Sequence, residues 1–167
     1  DARLVVFGAT AEHDLSAFAK ASLVLVQGFY PDHVALQARG FAVSHQADGT
    51  FDAAIVFLSR ARGESRSHIL QAVRLTDGGP VIVDGQKTDG VDSMLKDCKS
   101  HGAVIGPVYA KAHGKIFWFD AGTAFQDWAL PDPAPVASGW ITQPGVFSAD
   151  GPDAGSEALV SALPKTL

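Results

Sequence analysis

The chain has 167 residues, a formal net charge of -5 and a hydrophobic fraction of 47%, which is enough for one domain with a sizeable core plus a tail. The acidic balance argues against a dedicated nucleic-acid-binding domain, because such domains usually carry a strong basic excess. The single cysteine, Cys98, excludes an internal disulfide and fits a reducing, cytoplasmic location.

Short apolar runs alternate with helix-length segments through the first hundred residues. Strands are predicted at residues 4–7, 23–26, 41–44, 53–58 and 81–83, and helices at 14–20, 32–38, 67–76 and 91–101. This alternation predicts a parallel sheet with crossover helices. The run at 53–58 is the most apolar, so we expect it at the centre of the sheet, buried on both faces.

The pattern changes after Gly102. Two strand-like runs, 103–110 and 115–120, flank a short turn region and predict an antiparallel pair. From Gly122 onward, prolines interrupt every periodic pattern, which is typical of an extended linker. We therefore predict an α/β, three-layer, Rossmann-like domain at 1–122 and a proline-rich linker at 123–167.

The end of the chain carries its most specific motif. Pro144-Gly145-Val146-Phe147-Ser148 is followed by Asp150-Gly151 and then by Asp153-Ala154-Gly155-Ser156. This series resembles the linker that precedes the catalytic domain in one family of bacterial 16S rRNA guanine-N2 methyltransferases, the small-subunit methyltransferase C type. A weaker resemblance covers residues 3–122. It implies a degenerate class I methyltransferase fold here and a catalytic domain that would follow this chain in an intact parent protein.

The resemblance also implies a role for the linker. In that family the segment closes one side of the S-adenosylmethionine pocket, so Phe147, Asp153, Gly155 and Ser156 would contact this cofactor in the intact parent. A simpler interpretation also stands, in which Asp153 and Ser156 only start a helix.

Residues 1–122 lack two motifs that an active site of this class needs. A G-x-G-x-G turn after the first strand would bring backbone N–H groups to the cofactor, but this chain has only Gly8 there. After the fourth strand, an Asn-Pro-Pro-Phe type of loop is replaced by Ser59-Arg60-Ala61-Arg62. We expect no catalytic residue and no cofactor in this fragment. The resemblance implies that it supports the catalytic domain and helps to position 16S rRNA or the small ribosomal subunit.

One local cluster is a candidate for RNA contact despite the negative net charge. Arg60, Arg62, Arg66 and His68 lie within nine positions, although such a cluster is also typical of a solvated loop and helix start. The run Phe117-Trp118-Phe119 is a candidate for base stacking. In a strand, however, Phe117 and Phe119 share one face, which favours core packing.

A second class of function remains open. The chain could be a free-standing doubly wound ligand-binding or protein-interaction domain, whose tail is a terminal arm. An arm folded on its own domain should bury Trp128 and Trp140, whereas a linker should leave apolar surface exposed. A sister family that methylates guanine in 23S rRNA shares every sequence feature described above, so this alternative also stays open.

We expect neither a metal nor a membrane partner. The six histidines show no metal-ligand spacing. No apolar run approaches the roughly 20 residues that a membrane-spanning helix needs.

Overall fold

The computed structural model describes residues 2–122, 125–131, 134–136, 139–142, 148 and 150–164. It divides into two compact units, Asp1–Ala129 and Leu130–Leu167. The strands are β1 (Leu4–Phe7), β2 (Leu23–Val26), β3 (Ala42–Ser44), β4 (Ala53–Phe57), β5 (Pro80–Gln86), β6 (Tyr109–Lys111), β7 (Gly114–Asp120), β8 (Ala134–Pro135) and β9 (Ile141–Thr142). The α-helices are α1 (Tyr30–Ala38), α2 (Arg62–Leu75), α3 (Val91–Ser100) and α4 (Ala154–Ala162).

The first unit is built on a seven-stranded sheet in the order β3-β2-β1-β4-β5-β7-β6. Strands β1 to β5 are parallel, whereas β7 runs antiparallel to both β5 and β6. The predicted mostly parallel sheet with a terminal antiparallel pair is therefore confirmed. Strand β4 occupies the middle position, as its uninterrupted apolar sequence indicated.

Side chains alternate along each strand, so the sheet has two separate apolar layers. The layer that packs with α2 and α3 includes Val5, Phe7, Val56, Val83, Phe117 and Phe119, and the opposite layer includes Val6, Leu25, Ile55 and Leu36 of α1. Phe117 and Phe119 are fully buried, so the expectation that they pack in the core is correct. The first unit therefore has three layers.

The prediction of a helix at 14–20 is wrong. These residues form turns, and a 3-10 helix follows at Lys20–Ser22. The Asp14 carboxylate accepts a hydrogen bond from the backbone N–H of Ser16 at 2.9 Å, and such local bonds compete with helix formation. Leu15 is buried in the core while its neighbours are exposed, so this segment contributes one anchor rather than an amphipathic face.

Several element boundaries also differ from the predictions, most of all those of α2 and β6. Helix α2 begins at Arg62, five residues before the predicted start, because the apolar stripe that marks it in the sequence lies only in its later turns. Strand β6 covers only Tyr109–Lys111. The preceding loop follows β7 instead, with the N–H of Gly106 bonded to the carbonyl of Trp118 at 2.9 Å.

The first unit extends beyond Gly122 as far as Ala129. Phe125 and Trp128 are both buried, with ring centroids 4.5 Å apart. The indole N–H of Trp128 donates to Nε2 of His101 at 3.1 Å. These aromatic side chains complete the core beside α2 and α3.

The turn between β6 and β7 has an unusual backbone. Ala112 and His113 both have positive φ, at 49° and 64°, as the two central residues of a type I′ hairpin turn do. That turn strongly prefers Asn-Gly, because most residues with a Cβ are strained there. The carbonyl of His113 accepts from the N–H of Lys87 at 2.9 Å, which holds the turn against the end of β5.

Replacing Ala112-His113 with Asn-Gly should stabilise the first unit. Removing the positive-φ strain at both positions should raise the free energy of unfolding by about 1–2 kcal/mol. Urea denaturation followed by Trp fluorescence measures this change. The control is Ala19→Gly, because Ala19 has a φ of -66° and glycine relieves no strain there. A double variant no more stable than the wild type would contradict the prediction.

Candidate functional site

The carboxyl edge of the sheet is where a fold of this topology binds ligands. In open α/β sheets, the binding crevice lies where neighbouring connections leave a strand toward opposite sides. Here β1 pairs with β2 on one side and with β4 on the other, so the candidate crevice lies at the turn after β1, residues 8–13.

Gly8 begins this turn and is required for packing. Its φ is +71°, and a Cβ on this residue would lie only 2.6 Å from the carbonyl oxygen of Phe57. The glycine therefore lets the end of β1 approach the end of β4. It does not open space for a ligand.

The backbone of the turn is occupied by side chains of the same unit. The N–H of Ala11 donates to Oδ1 of Asp32 at 2.9 Å, and the carbonyl of Ala9 accepts from the Gln27 side chain at 2.7 Å. The Arg39 guanidinium donates to the carbonyls of Ala11 and His13 at 2.7 and 2.9 Å. Helix α1 and the end of β2 thus close the turn.

His13 fills the remaining space above β4. Its ring lies 3.9 Å from that of Phe57, centroid to centroid. Its Nδ1 accepts from the backbone N–H of Thr10 at 2.9 Å, which places the proton of the neutral ring on Nε2. Burial lowers the pKa of His13, against the opposing charges of acidic neighbours such as Asp84, and burial also raises the pKa of Asp84. Both groups are driven toward their neutral forms.

S-Adenosylmethionine does not fit this turn. A phosphate- or nucleotide-type turn presents free backbone N–H groups to its ligand, but those of Thr10 and Ala11 already have protein acceptors. At the end of β2, where dinucleotide sites place a carboxylate for the ribose, this chain has the neutral Gln27. The first unit therefore retains the shape of a cofactor-binding edge without its donors.

The loop after β4 is closed in the same way. The Ser59 hydroxyl donates to the Glu64 carboxylate at 2.7 Å, and its N–H donates to the Ser65 hydroxyl at 3.0 Å. Ser65 returns a hydrogen bond to the Ser59 carbonyl at 3.2 Å. The polar groups of this loop therefore organise the start of α2.

The four residues predicted as an RNA-binding cluster have different environments. Arg62 and Arg66 both bind the Asp97 carboxylate, at 2.7 and 3.0 Å, and Arg66 also lies over the Trp128 ring. His68 packs against Phe7, with ring centroids 5.3 Å apart. Arg60 is exposed. The structure brings Arg62 and Arg66 together in an ion-pair cluster between α2 and α3 and does not bring all four residues onto one free surface.

The predicted cofactor residues of the tail lie in the second unit. Asp153 caps α4, because its carboxylate accepts from the N–H and the hydroxyl of Ser156 at 2.9 and 3.1 Å. Gly155 is in the first turn of α4, whereas Phe147 lies outside the described residues. The capping role is the simpler of the two interpretations above.

The second unit also contains an open groove of about 660 Å³. Trp140, Asp153, Ser156 and Val160 are among the residues that line it. Trp140 is 68% exposed, and Ile141 and Val160 are exposed with it. The groove therefore presents apolar surface beside the α4 cap.

The described part of the chain has neither a metal-binding cluster nor a membrane-spanning helix. Within it, no three His, Cys, Asp or Glu side chains lie close enough together to hold a metal ion. None of the helices described there is both long and apolar enough to cross a membrane.

The residues that close the β1 turn were not identified from the sequence. Gln27, Asp32 and Arg39 lie 18 to 28 residues from the groups they bind, so no local motif marks them. The sequence did carry one signal for the closed turn. The residue after the second strand is the neutral Gln27, where a ribose-binding site would carry an acidic residue.

The chain matches no protein-family model and no curated protein. Its similarity to solved structures is clear. The T. thermophilus 16S rRNA N2 G1207 methyltransferase, in complex with AdoMet and guanosine, aligns with a TM-score of 0.73 and 18% identity. The alignment covers 95% of this chain and 47% of that one. The chain has the fold of class I methyltransferases.

Other solved structures support the same fold. The ribosomal protein L11 methylase from Lactobacillus delbrueckii subsp. bulgaricus aligns with a TM-score of 0.57 and 10% identity, over 73% of this chain and 71% of that one. The magnesium protoporphyrin IX methyltransferase from Synechocystis, with bound SAM, aligns with a TM-score of 0.53 and 12% identity, over 72% and 70%. The chain spans about half the length of the T. thermophilus enzyme, and identities this low show the fold alone.

The free energy of unfolding should fall as the pH falls below about 6.5, the ordinary histidine value. Burial lowers the pKa of His68 and of His13, so the unfolded chain takes up protons at a higher pH than the folded chain does. The contribution of the two neutral histidines to the free energy of unfolding is complete above about pH 6.5. It is lost as the pH falls through their pKa values in the folded state. His68→Phe, which keeps a ring against Phe7, should make this loss shallower in urea denaturation at pH 7.5 and 5.5.

His101 provides a control of opposite sign. Its pKa is raised, first by the bond to the Asp97 carbonyl and then by Asp127. In the protonated ring, Nε2 donates to the Asp127 carboxylate at 3.1 Å instead of accepting from Trp128. The contribution of His101 to the free energy of unfolding is therefore present below about pH 6.5 and is lost as the pH rises through the folded pKa. His101→Gln should therefore steepen the loss of stability in acid. A His68→Phe profile parallel to that of the wild type would contradict the prediction.

Asp97→Asn should destabilise the first unit by about 1–2 kcal/mol, discounted for the exposure of Arg62. The change removes the charge that two guanidinium groups share. Asp92→Asn is the matched control, because Asp92 has one salt-bridge partner, Lys115, at a more exposed position. Chemical denaturation of both variants compares the effects, and an equal or larger loss for Asp92→Asn would argue against the Asp97 cluster.

Proposed function

We propose that this chain is the non-catalytic N-terminal half of an S-adenosylmethionine-dependent rRNA guanine-N2 methyltransferase. In this role it supports a catalytic domain that follows it and helps to position 16S rRNA or the small ribosomal subunit. The observation that carries the proposal is the closed turn after β1, which lies in a methyltransferase fold but has its backbone donors bound by Asp32 and His13.

The closed turn supports a structural rather than a chemical role for the first unit. Fold alone does not imply function, so the assignment depends on the site. Gly8 permits contact with β4 rather than with a ligand, and Ser59 and Glu64 bind each other where a base-orienting loop would lie. No step of methyl transfer is assigned to these residues.

The extent of the similarity supports a catalytic partner domain. The T. thermophilus 16S rRNA methyltransferase structure is described with AdoMet and guanosine, and this chain covers 47% of it. We infer that the parent of this chain carries the cofactor and the guanine in its remaining half. The proposed partners are thus its own C-terminal catalytic domain and 16S rRNA.

The second unit is the proposed lead-in to that catalytic domain. Phe147, Asp153, Gly155 and Ser156 would form one wall of the S-adenosylmethionine pocket only in the intact parent. Asp153 already holds the first turn of α4 through Ser156. The exposed Trp140 and Val160 beside it supply apolar surface that a following domain would cover.

The two tryptophans bear on the alternative of a free-standing binding domain. Trp128 is 3% exposed and belongs to the core of the first unit, whereas Trp140 of the second unit is 68% exposed. A terminal arm folded on its own domain should bury both indoles, so quenching of indole fluorescence separates the two hypotheses.

Titration calorimetry with S-adenosylmethionine tests the closed turn directly. The full 167-residue chain should show no saturable heat up to about 1 mM cofactor, because the donors of the turn are already bound. The Thr10→Gly variant, which removes a side chain from the turn, is the control for cofactor affinity that this side chain could block. It should also show no binding. Micromolar affinity in the wild-type chain would overturn the non-catalytic assignment.

The coding DNA beyond Leu167 tests the proposed partner domain. We expect an apolar strand that ends in G-x-G-x-G within about 20 residues, with an Asn-Pro-Pro-Phe type of loop further on. A stop codon directly after Leu167 would instead favour the free-standing binding domain.

A further inference from the structure

Cationic side chains gather at the β6–β7 turn, on the carboxyl side of β5. Lys87 follows β5 directly, and its N–H binds the carbonyl of His113 in the turn at 2.9 Å. Lys111 and Lys115 lie on the two sides of the same turn. Four basic or titratable side chains from two separate parts of the sequence therefore meet at one end of the sheet.

Two open cavities adjoin this turn. They have volumes of about 290 and 480 Å³ and share Lys87, Ala112 and His113 in their walls. Lys111 and Lys115 also line the smaller cavity. The cations therefore surround concave surface that a ligand can enter.

The charge of this turn, hereafter the lysine turn (Lys87, Lys111, His113 and Lys115), is only partly balanced by nearby carboxylates. Lys115 binds Asp92, and the charge of Lys87 also lowers the pKa of Asp92, after the larger effect of the Lys115 bond. Neither Lys87 nor Lys111 forms a salt bridge with any carboxylate of the described residues. Three lysines thus lie near two carboxylates, Asp92 and Asp89. In a chain of net charge -5, a local excess of positive charge points to an anionic ligand.

An exposed aromatic side chain lies on the same strand as Lys111. Tyr109 is 65% exposed and lies on the same face of β6 as Lys111, two residues away, whereas Lys115 pairs with Ala110 and lies on the opposite face. On the paired strand Tyr109 faces Ile116, which is also exposed, and Trp118 follows on that face, half-buried. Aromatic faces beside lysines are typical of surfaces that stack unpaired bases and hold their phosphates.

We propose that the lysine turn and Tyr109 form a binding site for single-stranded RNA. Lys87 and Lys111 contact successive phosphates of the backbone, and Tyr109 stacks on an unpaired base. This inference rests on the proposed function and assigns the RNA contact to a part of the first unit outside the Arg60 to His68 cluster. Two arginines of that cluster are already bound by Asp97.

Single-stranded RNA fits this surface better than other anions do. A rigid duplex would present phosphates to Lys87 and Lys111 but would give Tyr109 no unpaired base. An acidic peptide or inorganic phosphate would use the lysines alone. The contribution of Tyr109 therefore separates the proposed ligand from these alternatives.

The test measures fluorescence anisotropy of a fluorescein-labelled 12-nucleotide oligouridylate with the full 167-residue chain, between 50 and 200 mM KCl. The double variant K87E/K111E should weaken binding at least tenfold at 50 mM KCl. It should also flatten the salt dependence by about 1.4 in slope, since each single-strand phosphate contact contributes about 0.7. K87Q/K111Q, which removes charge without reversing it, should act in the same direction and less strongly.

The matched control is R74E/K99E, which makes the same change in net charge on exposed residues away from the lysine turn. Its affinity should stay within about twofold of the wild type. A loss in R74E/K99E equal to or larger than that in K87E/K111E would overturn the location proposed here. Thermal melting of each variant confirms that the first unit is folded, because all of these side chains lie on the surface.

Tyr109→Ala tests the stacking contact. It should weaken oligouridylate binding at least fivefold, because base stacking on an aromatic side chain contributes about 1–3 kcal/mol, and Tyr109→Phe should restore the affinity. The same variant should leave binding of a 12-base-pair RNA duplex or a polyglutamate peptide unchanged. Equal losses for all three ligands, or no loss for the oligouridylate, would overturn the proposal.

The wild-type chain must also bind the oligouridylate measurably at 50 mM KCl. Absence of binding would overturn the RNA site at the lysine turn. It would leave the non-catalytic assignment to be decided by the S-adenosylmethionine titration and by the sequence beyond Leu167, so the two proposals fail separately.

Discussion

The close approach of β1 to β4 at Gly8 is the constraint on which the carboxyl edge depends. A Cβ on Gly8 would lie 2.6 Å from the carbonyl oxygen of Phe57, so the two strand ends touch where a cofactor turn would normally open. His13 then packs on Phe57. Once that ring is in place, the backbone groups of the turn are best satisfied by side chains of the same unit, and Arg39 closes the turn from α1.

The interactions that stabilise this fold lie within the protein. The two apolar layers of the sheet supply the stabilisation that comes from burial, and neither layer needs a ligand. Polar groups of the turn after β1 are bonded within the protein, which avoids the cost of leaving them buried and unpaired. Exposed lysines and the exposed Tyr109 lie instead at the β6–β7 turn.

An element could be predicted from the sequence when the interactions that form it join residues close together in the chain. Apolar runs such as that of β4 identified the strands, because burial on both faces leaves a continuous hydrophobic sequence. The segment after Asp14 was mispredicted as a helix, because a short Asx turn and one buried leucine override a weak helical pattern. Arg62 and Arg66 were interpreted as free cations, since their partner Asp97 lies more than thirty residues away.

The sequence by itself determined the sheet, its antiparallel end, the loss of the glycine-rich turn and the Asp153 cap of α4, because each depends on local composition or on neighbouring residues. Only the tertiary structure decided which side chains close the β1 turn, which arginines are paired and that Lys87 lines the same cavity as Lys111 and His113. Those contacts join residues far apart in the chain. Their distances are set by strand order and helix packing, which no local pattern encodes.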